Sequence, residues 1–174
     1  LASSVALQAQ PAFDIVLKGG HVIDPKNKIN RVLDVAISGG KIARLAPDIP
    51  TAEARRVVNV QGLYVTPGLI DIHAHLYNRP GSPPPKRNQS VQPDAFSFRT
   101  GVTTMVDAGS SGWRNFEDFR QRVVDPAQTR VFAMLNIVGL GMMTDVPEQN
   151  VHDMDAKATA EMALKHRDIV VGIK

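Results

Sequence analysis

The sequence predicts an α/β protein in which a small N-terminal β-sandwich precedes the first half of a (β/α)8 barrel. Two observations predict this fold class. Residues 13–66 contain several short apolar runs separated by glycine turns, and they show no helical period. After Pro67, apolar strands alternate with segments of helical period, which indicates a parallel sheet built from βα units. We therefore expect two domains, residues 13–66 and 67–174, and we expect the barrel to continue beyond this chain.

The N-terminal strands are predicted from runs of valine, isoleucine and leucine that end at glycine or proline. Glycine tolerates positive φ, so Gly39-Gly40 and Gln61-Gly62 each predict a two-residue hairpin turn. The predicted strands are Phe13–Lys18, His21–Asp24, Val32–Ser38, Lys41–Leu45, Arg56–Val60 and Leu63–Val65. Short strands joined by such turns predict a small sandwich with a structural role.

The second domain is predicted to contain four strands with helices between them. Asn150 is expected to cap a helix that runs from Val151 to about His166. The predicted strands are Leu69–His75, Val102–Asp107, Arg130–Val138 and Asp168–Lys174. The residues that recur at helical spacing after the second strand are Trp113, Phe116, Phe119 and Val123. Four such strands amount to half of an eight-stranded barrel.

Residues 77–95 contain too many prolines for a regular helix or a central strand. They follow the first barrel strand at its carboxyl end, where the active sites of barrel enzymes lie. Two interpretations stay open, a mobile loop that covers the substrate and a disordered surface loop.

The N-terminus also leaves two interpretations open. Residues 1–12 form a tail whose small apolar residues up to Ala9 resemble the end of a secretory signal peptide, but no basic segment precedes them. A signal remnant implies a periplasmic or otherwise exported protein. A flexible tail is equally compatible with a cytoplasmic one.

Composition excludes several classes of function. The formal net charge is +3, and the basic residues are scattered among acids, so no nucleic-acid-binding stripe is expected. No apolar run is long enough to span a membrane. The chain has no cysteine, which excludes disulfides and thiolate metal sites. Any metal must therefore be bound by nitrogen and oxygen atoms.

His73-Ala74-His75 is the strongest candidate for such a site. Side chains alternate along an extended strand, so Asp71, His73 and His75 are expected on one face, with Ile70, Ile72 and Ala74 packed under helices on the other. Two imidazoles on one face can bind one metal ion. Asp71 or a backbone carbonyl can supply the acceptor that fixes the tautomer of a ligating ring. Taken alone, such a pair also arises by chance.

Lys174 is the second candidate and ends the fourth strand. It shares a face with Val170 and Gly172, and Gly172 is expected to leave room beside it. A bare ammonium group inside a barrel is costly. A lysine carboxylated by carbon dioxide can instead bridge two divalent metals. The alternative is a lysine whose amine reaches the solvent at the rim.

These residues resemble a known family. The run from Pro67 to His75 is similar to the first-strand motif of the amidohydrolase superfamily, and the Gly19-Gly20 and Gly39-Gly40-Lys41-Ile42 turns resemble its small composite sandwich. The segments Gly101–Gly109 and Val170–Lys174 are similar to its dihydroorotase-like amidohydrolase/deacetylase branch. The resemblance implies two zinc ions, with His73 and His75 on the more buried one and carboxylated Lys174 bridging both. It also implies two further histidines and a general-base aspartate on later strands of the same protein, which this chain does not contain.

The resemblance implies a metal-dependent hydrolase in which an activated hydroxide cleaves an amide or ester bond of a small molecule. Typical dihydroorotases carry an arginine two residues after the second histidine. Tyr77 occupies that position here, and Arg79 is a possible substitute. We therefore favour a deacetylase or deacylase over a cyclic amidohydrolase of the dihydroorotase or dihydropyrimidinase type. A non-catalytic scaffold is a further alternative, and a homo-oligomer is expected.

The remaining polar candidates are assigned structural roles. His152 and His166 lie on or beside a predicted outer helix, and His21 lies in the small β domain. Asp107 and Asn136 end the second and third barrel strands. Either can reach the pocket from there, but a structural role at a strand end is favoured.

Overall fold

The computed structural model describes residues 11–78, 90–142 and 148–174, and the chain divides into two compact units, Leu1–Pro67 and Gly68–Lys174. Most of the expected N-terminal tail and most of the proline-rich loop, including Arg79, lie outside the described residues. No helix in the described part of the chain is long and apolar enough to cross a membrane.

The first unit is a mixed sheet of five strands. The strands are β1 Phe13–Asp24, β2 Ile29–Ser38, β3 Lys41–Ala46, β4 Ala54–Asn59 and β5 Tyr64–Val65, with a 3-10 turn at Thr51–Glu53. The order is β3-β2-β1-β4, and β5 also pairs with β1. β1 and β3 run antiparallel to β2, whereas β4 and β5 run parallel to β1. The described residues of this unit form one sheet, so the second layer of the predicted sandwich is not confirmed.

Two local predictions in this unit are wrong, and both errors have one cause. β1 continues through Gly19-Gly20 instead of ending there, with a shift in register between Leu17 and Gly20. On the other side of β1, β4 pairs as far as Lys18 and β5 resumes at His21. β4 and β5 both pair with β1, β4 before its bulge and β5 after it, and they do not pair with each other. Gln61-Gly62 therefore does not close a hairpin. The Gly39-Gly40 hairpin is confirmed, since Ser38 pairs with Lys41.

The second unit is a parallel sheet of four strands in the order β6-β7-β8-β9. The strands are β6 Leu69–Ala74, β7 Val102–Gly112, β8 Arg130–Asn136 and β9 Val170–Ile173. The helices are α1 Pro93–Phe96, α2 Phe116–Phe119 and α3 Ala156–Lys165. A π-helical turn, Arg120–Val124, continues α2, and 3-10 turns occupy Phe98–Thr100 and Val151–Asp153. The alternation of strands and helical segments predicted from the sequence is confirmed.

The predicted helix from Val151 begins later than expected. Asp155 is its cap, because Asp155 Oδ1 accepts a hydrogen bond from the Ala158 backbone N–H at 2.9 Å. The Asn150 side chain instead accepts from the His152 backbone N–H at 3.2 Å and closes the short 3-10 turn. Both residues have acceptor side chains, so the sequence pattern did not distinguish them.

The core of the second unit lies between the sheet and α2. Phe116, Phe119 and Val123 are buried, as their spacing predicts, and they belong to one cluster with Ala133 and Leu135 of β8. The other face of β6 departs from expectation. Ala74 is buried, but Ile70 and Ile72 are 63% and 71% exposed, so no described helix covers them.

Candidate metal-binding site

The candidate site residues lie where the parallel strands end. His75 follows β6, Ser110 lies near the end of β7, Asn136 ends β8 and Lys174 follows β9. Parallel strands present their carboxyl ends at one edge of the sheet, which is the edge that carries catalytic residues in barrel enzymes. Residues far apart in the chain are thereby brought to one place.

The rings of His73 and His75 lie side by side. Their centroids are 5.4 Å apart, and the rings meet edge to face at 78°. β6 bulges between Asp71 and Ala74, a stretch that includes His73, because three residue steps there match two steps, Met105 to Asp107, on β7. The strict alternation used in the sequence argument is therefore interrupted, yet both imidazoles reach the same place.

Asp71 contacts the backbone and not a histidine ring. Its Oδ1 accepts from the His73 backbone N–H at 3.0 Å. The ring of His75 has a different partner, Ser110, whose Oγ lies 3.1 Å from His75 Nδ1. Sequence reasoning missed Ser110, although its place after the second predicted strand is the signal that could have found it.

Asp107 is fully buried and joins the ends of β6 and β7. Its Oδ2 accepts from the Leu76 backbone N–H at 2.7 Å, and its Oδ1 accepts from the Ser110 backbone N–H at 2.7 Å. Burial raises the pKa of Asp107, and the hydrogen bonds from Leu76 and Ser110 oppose that rise. The carboxylate thus takes the structural role that the sequence favoured.

Lys174 lies over Gly109 of β7. Gly109 has a φ of +84°, and a Cβ built there would lie 2.6 Å from Lys174 Cδ. At Gly172 a Cβ would meet only Met134 Cγ, at the ordinary distance of 3.7 Å. The expectation that Gly172 leaves room for the lysine is therefore wrong, and Gly109 leaves that room instead. The Lys174 Nζ donates to Met142 Sδ at 3.0 Å.

Asn136 brings a second carboxylate towards the site. Its Nδ2 donates to the Gly109 carbonyl and to Glu148 Oε1, both at 3.1 Å, while its Oδ1 accepts from the Val138 backbone N–H at 2.9 Å. Glu148 was not a sequence candidate. It lies between β8 and α3, and nothing in its spacing points to the site.

The surroundings of His75 favour its neutral form. Burial lowers the pKa of His75, electrostatic interactions with Lys174 and His73 lower it further, and Asp107 and Glu148 act in the opposite direction. Neutral imidazole is the form of histidine that binds metals. The environment of His75 therefore favours the form a metal requires.

The other histidines lie elsewhere, as expected. His166 is buried, with its Nε2 3.1 Å from Glu117 Oε1 and its Nδ1 accepting from Arg120 Nη1 at 3.0 Å. His21 Nε2 is 2.6 Å from Asn30 Oδ1 in the small sheet. His152 is exposed in the 3-10 turn before α3.

The donor set fits part of a metal site. His73 and His75 offer nitrogen ligands, and Lys174 directly follows β9 at the same edge of the sheet. No group of three histidine, aspartate or glutamate side chains within residues 11–78, 90–142 and 148–174 is arranged to hold a metal ion by itself. A metal bound here would need Lys174 or residues from outside the described part of the chain.

Known proteins resemble this chain over most of its length. A deacetylase of Agrobacterium fabrum is 30% identical over 145 residues, which are 81% of this chain and 34% of that protein. A crystal structure of a dihydroorotase has a TM-score of 0.72 and 28% identity, covering 91% of this chain and 41% of that one. A crystal structure of an adenine deaminase has a TM-score of 0.74 and 27% identity, covering 92% and 40%. No protein-family model matches the chain.

Together with the α/β fold, these likenesses support membership of the amidohydrolase superfamily. Within that superfamily it is similar to proteins named deacetylase and dihydroorotase. It spans about a third of the length of the curated deacetylase it matches.

Proposed function

We propose that the protein containing this chain is a metal-dependent hydrolase that removes an acetyl or other acyl group from a small molecule. The observation that carries this proposal is the pair of adjacent imidazoles of His73 and His75 at the carboxyl edge of a parallel sheet, with Lys174 ending a strand at the same edge. The likeness to a deacetylase over 81% of the chain supports the acyl-group specificity.

We propose that His73 and His75 hold one divalent ion and that carboxylated Lys174 bridges it to a second. Zinc suits nitrogen and oxygen ligands of this kind. When bound, the ions lower the pKa of a water molecule and polarise the substrate carbonyl. Carboxylation needs only carbon dioxide, because the neutral Nζ of Lys174 forms a bond to the carbon and releases one proton. The general base is assigned to an aspartate on a later strand of the same protein.

The residues of this chain prepare the site in two ways. Burial of His75 lowers its pKa and so favours the neutral imidazole, which is the form that binds a metal ion. Gly109 leaves space for the side chain of Lys174, since a Cβ at that position would lie 2.6 Å from Lys174 Cδ. Both features lower the cost of assembling the ligands.

The finer fold assignments are part of the same proposal. We infer that β6–β9 are the first four strands of an eight-stranded barrel completed by the rest of the protein, and that β1–β5 belong to a small β-sandwich domain. The sequential, all-parallel order of β6–β9 supports the first inference. A homo-oligomer is proposed from the resemblance, and export from residues 1–9, which lie outside the described residues.

A cyclic amidohydrolase is the second candidate, and the likeness to a dihydroorotase structure supports it. Tyr77 argues against dihydroorotate as the substrate. It is buried, and its hydroxyl donates to Asp118 Oδ2 at 2.6 Å, so this position supplies no cation for a substrate carboxylate.

Metal removal combined with a ligand substitution tests the proposal. The intact protein is assayed on N-acetyl amino acids, acyl esters and dihydroorotate before and after chelation, and again after zinc is restored. We expect chelation to abolish acyl hydrolysis. We expect His73→Ala to lower acyl hydrolysis by more than about 100-fold, which exceeds the loss of about 10–100-fold typical when only a hydrogen-bond partner of a metal ligand is removed.

His152→Ala is the matched control, because it removes an exposed imidazole from outside the site. It should keep both metal content and activity. Full activity and full metal content in His73→Ala would refute the proposed metal site. Turnover of dihydroorotate without acyl hydrolysis would favour the second candidate, and bound metal without any turnover would favour a scaffold.

A further inference from the structure

The carboxylate of Asp107 binds two backbone positions that flank the candidate site. One oxygen accepts from Leu76, the residue directly after His75, and the other accepts from Ser110. Both hydrogen bonds are 2.7 Å long, and Asp107 is fully buried. A buried acceptor with two short bonds is costly to rearrange because any lost bond leaves an unsatisfied group. The backbone after His75 and the backbone of Ser110 are thus held at a fixed separation.

The fixed separation places a hydroxyl beside one nitrogen of His75. Ser110 Oγ lies 3.1 Å from His75 Nδ1, and Ser110 itself is only 3% exposed. A neutral imidazole carries its proton on one nitrogen and offers a lone pair on the other. A partner that accepts a hydrogen bond from Nδ1–H keeps the proton on Nδ1 and leaves the lone pair on Nε2, the nitrogen on the far side of the ring.

We propose that Asp107 and Ser110 together position His75, with Ser110 Oγ accepting a hydrogen bond from His75 Nδ1–H so that the lone pair of Nε2 is presented to the metal. This inference rests on the proposed function, because it assigns the residues that hold a proposed metal ligand in place. Metal-bound histidines need such a partner to fix the tautomer and the ring orientation. Asp71 does not serve this purpose for His75, since its Oδ1 binds the backbone of His73.

Zinc affinity of the intact protein tests the role of Ser110. The dissociation constant of Zn²⁺ is measured by competition with a chromophoric chelator, so catalysis is not needed for the readout. We expect Ser110→Ala to raise the dissociation constant of zinc by about tenfold, the lower end of the loss in metal affinity found when a hydrogen-bond partner of a metal-binding histidine is removed.

Ser111 provides a matched control on the next residue. It is fully buried, and its Oγ has no hydrogen-bond partner among the described residues. Ser111→Ala removes the same atom from the same strand end, and we expect zinc affinity to stay within about twofold of the unmodified protein. Equal zinc affinities of Ser110→Ala and Ser111→Ala would overturn the proposal.

A spectroscopic measurement on the unmodified protein does not depend on whether a variant folds. Histidine is labelled with ¹⁵N, the zinc-loaded protein is studied by NMR, and the His75 signals are identified by their loss in His75→Gln. We expect the proton on Nδ1 and the zinc on Nε2. A proton on Nε2 with zinc on Nδ1 would overturn the proposal.

The two proposals can fail separately. If zinc binds through His75 Nε2 and depends on Ser110, but no acyl compound is hydrolysed, the positioning role stands and the proposed activity does not. If Ser110→Ala keeps full zinc affinity while the protein remains an active hydrolase, the positioning role is wrong and the proposed activity stands.

Discussion

Replacing Gly109 by alanine tests whether the glycine makes room for Lys174. The added methyl group would lie 2.6 Å from Lys174 Cδ, 3.0 Å from its Cβ and 3.2 Å from its Cγ. Non-bonded carbons prefer about 3.5–4.0 Å, so the lysine side chain must move by about 1 Å. The φ of +84° adds a backbone cost of about 1–2 kcal/mol for any residue with a Cβ.

Two consequences are expected in the intact protein. The free energy of unfolding should fall by about 1–2 kcal/mol, because the flexible lysine swings aside but the backbone strain remains. Acyl hydrolysis should fall by about 100-fold, the order of loss that a misplacement of about 1 Å produces. Denaturant unfolding measures the first, and initial rates with bound metal counted by elemental analysis measure the second.

Two further glycines separate the two effects. Gly39 has a φ of +57° but nothing within 4 Å of an added Cβ, so Gly39→Ala carries the backbone cost alone and should keep full activity. Gly172 lies in β9 with an ordinary 3.7 Å contact, so Gly172→Ala should be neutral or stabilising by about 0.5–1 kcal/mol. Full activity and full metal content in Gly109→Ala would refute the argument that Gly109 positions Lys174.

Two predictions concern stability away from the site. Asp155→Ala should lower the free energy of unfolding by about 1 kcal/mol, and Asn150→Ala should lower it less, because Asp155 caps α3 whereas Asn150 caps only a short 3-10 turn. A larger loss in Asn150→Ala than in Asp155→Ala, measured by denaturant unfolding, would contradict this prediction. Burial alone would raise the pKa of Asp34, but its ion pair with Lys18 and two backbone N–H groups hold that pKa below 3.8. The ion pair therefore stabilises the fold above about pH 4, and this contribution is lost as the pH falls through 3.8 and below. Melting temperatures between pH 7 and pH 3 should fall less steeply in Asp34→Asn, and equal slopes would contradict the prediction.

Local patterns predicted those elements whose structure depends on neighbours in the chain. The Gly39-Gly40 turn formed as predicted, because a two-residue hairpin turn requires positive φ and glycine adopts it without steric cost. Gln61-Gly62 looks similar in the sequence but joins strands that pair with β1 and not with each other. That outcome depends on the length of β1 and its bulge, which no local window contains.

Sequence patterns supplied the candidate ligands of the proposed site but not the contacts that support them. His73 and His75 were singled out because few residue types bind metals and the two residues are only two positions apart, whereas Lys174 was singled out by the family resemblance. Ser110 as the partner of His75, Asp107 as the link between two strand ends and Gly109 as the space for Lys174 were decided by the tertiary structure. The physical reason is that hydrogen bonds and steric contacts between parallel strands join residues about 30 to 65 positions apart, and their register is set only when the sheet assembles.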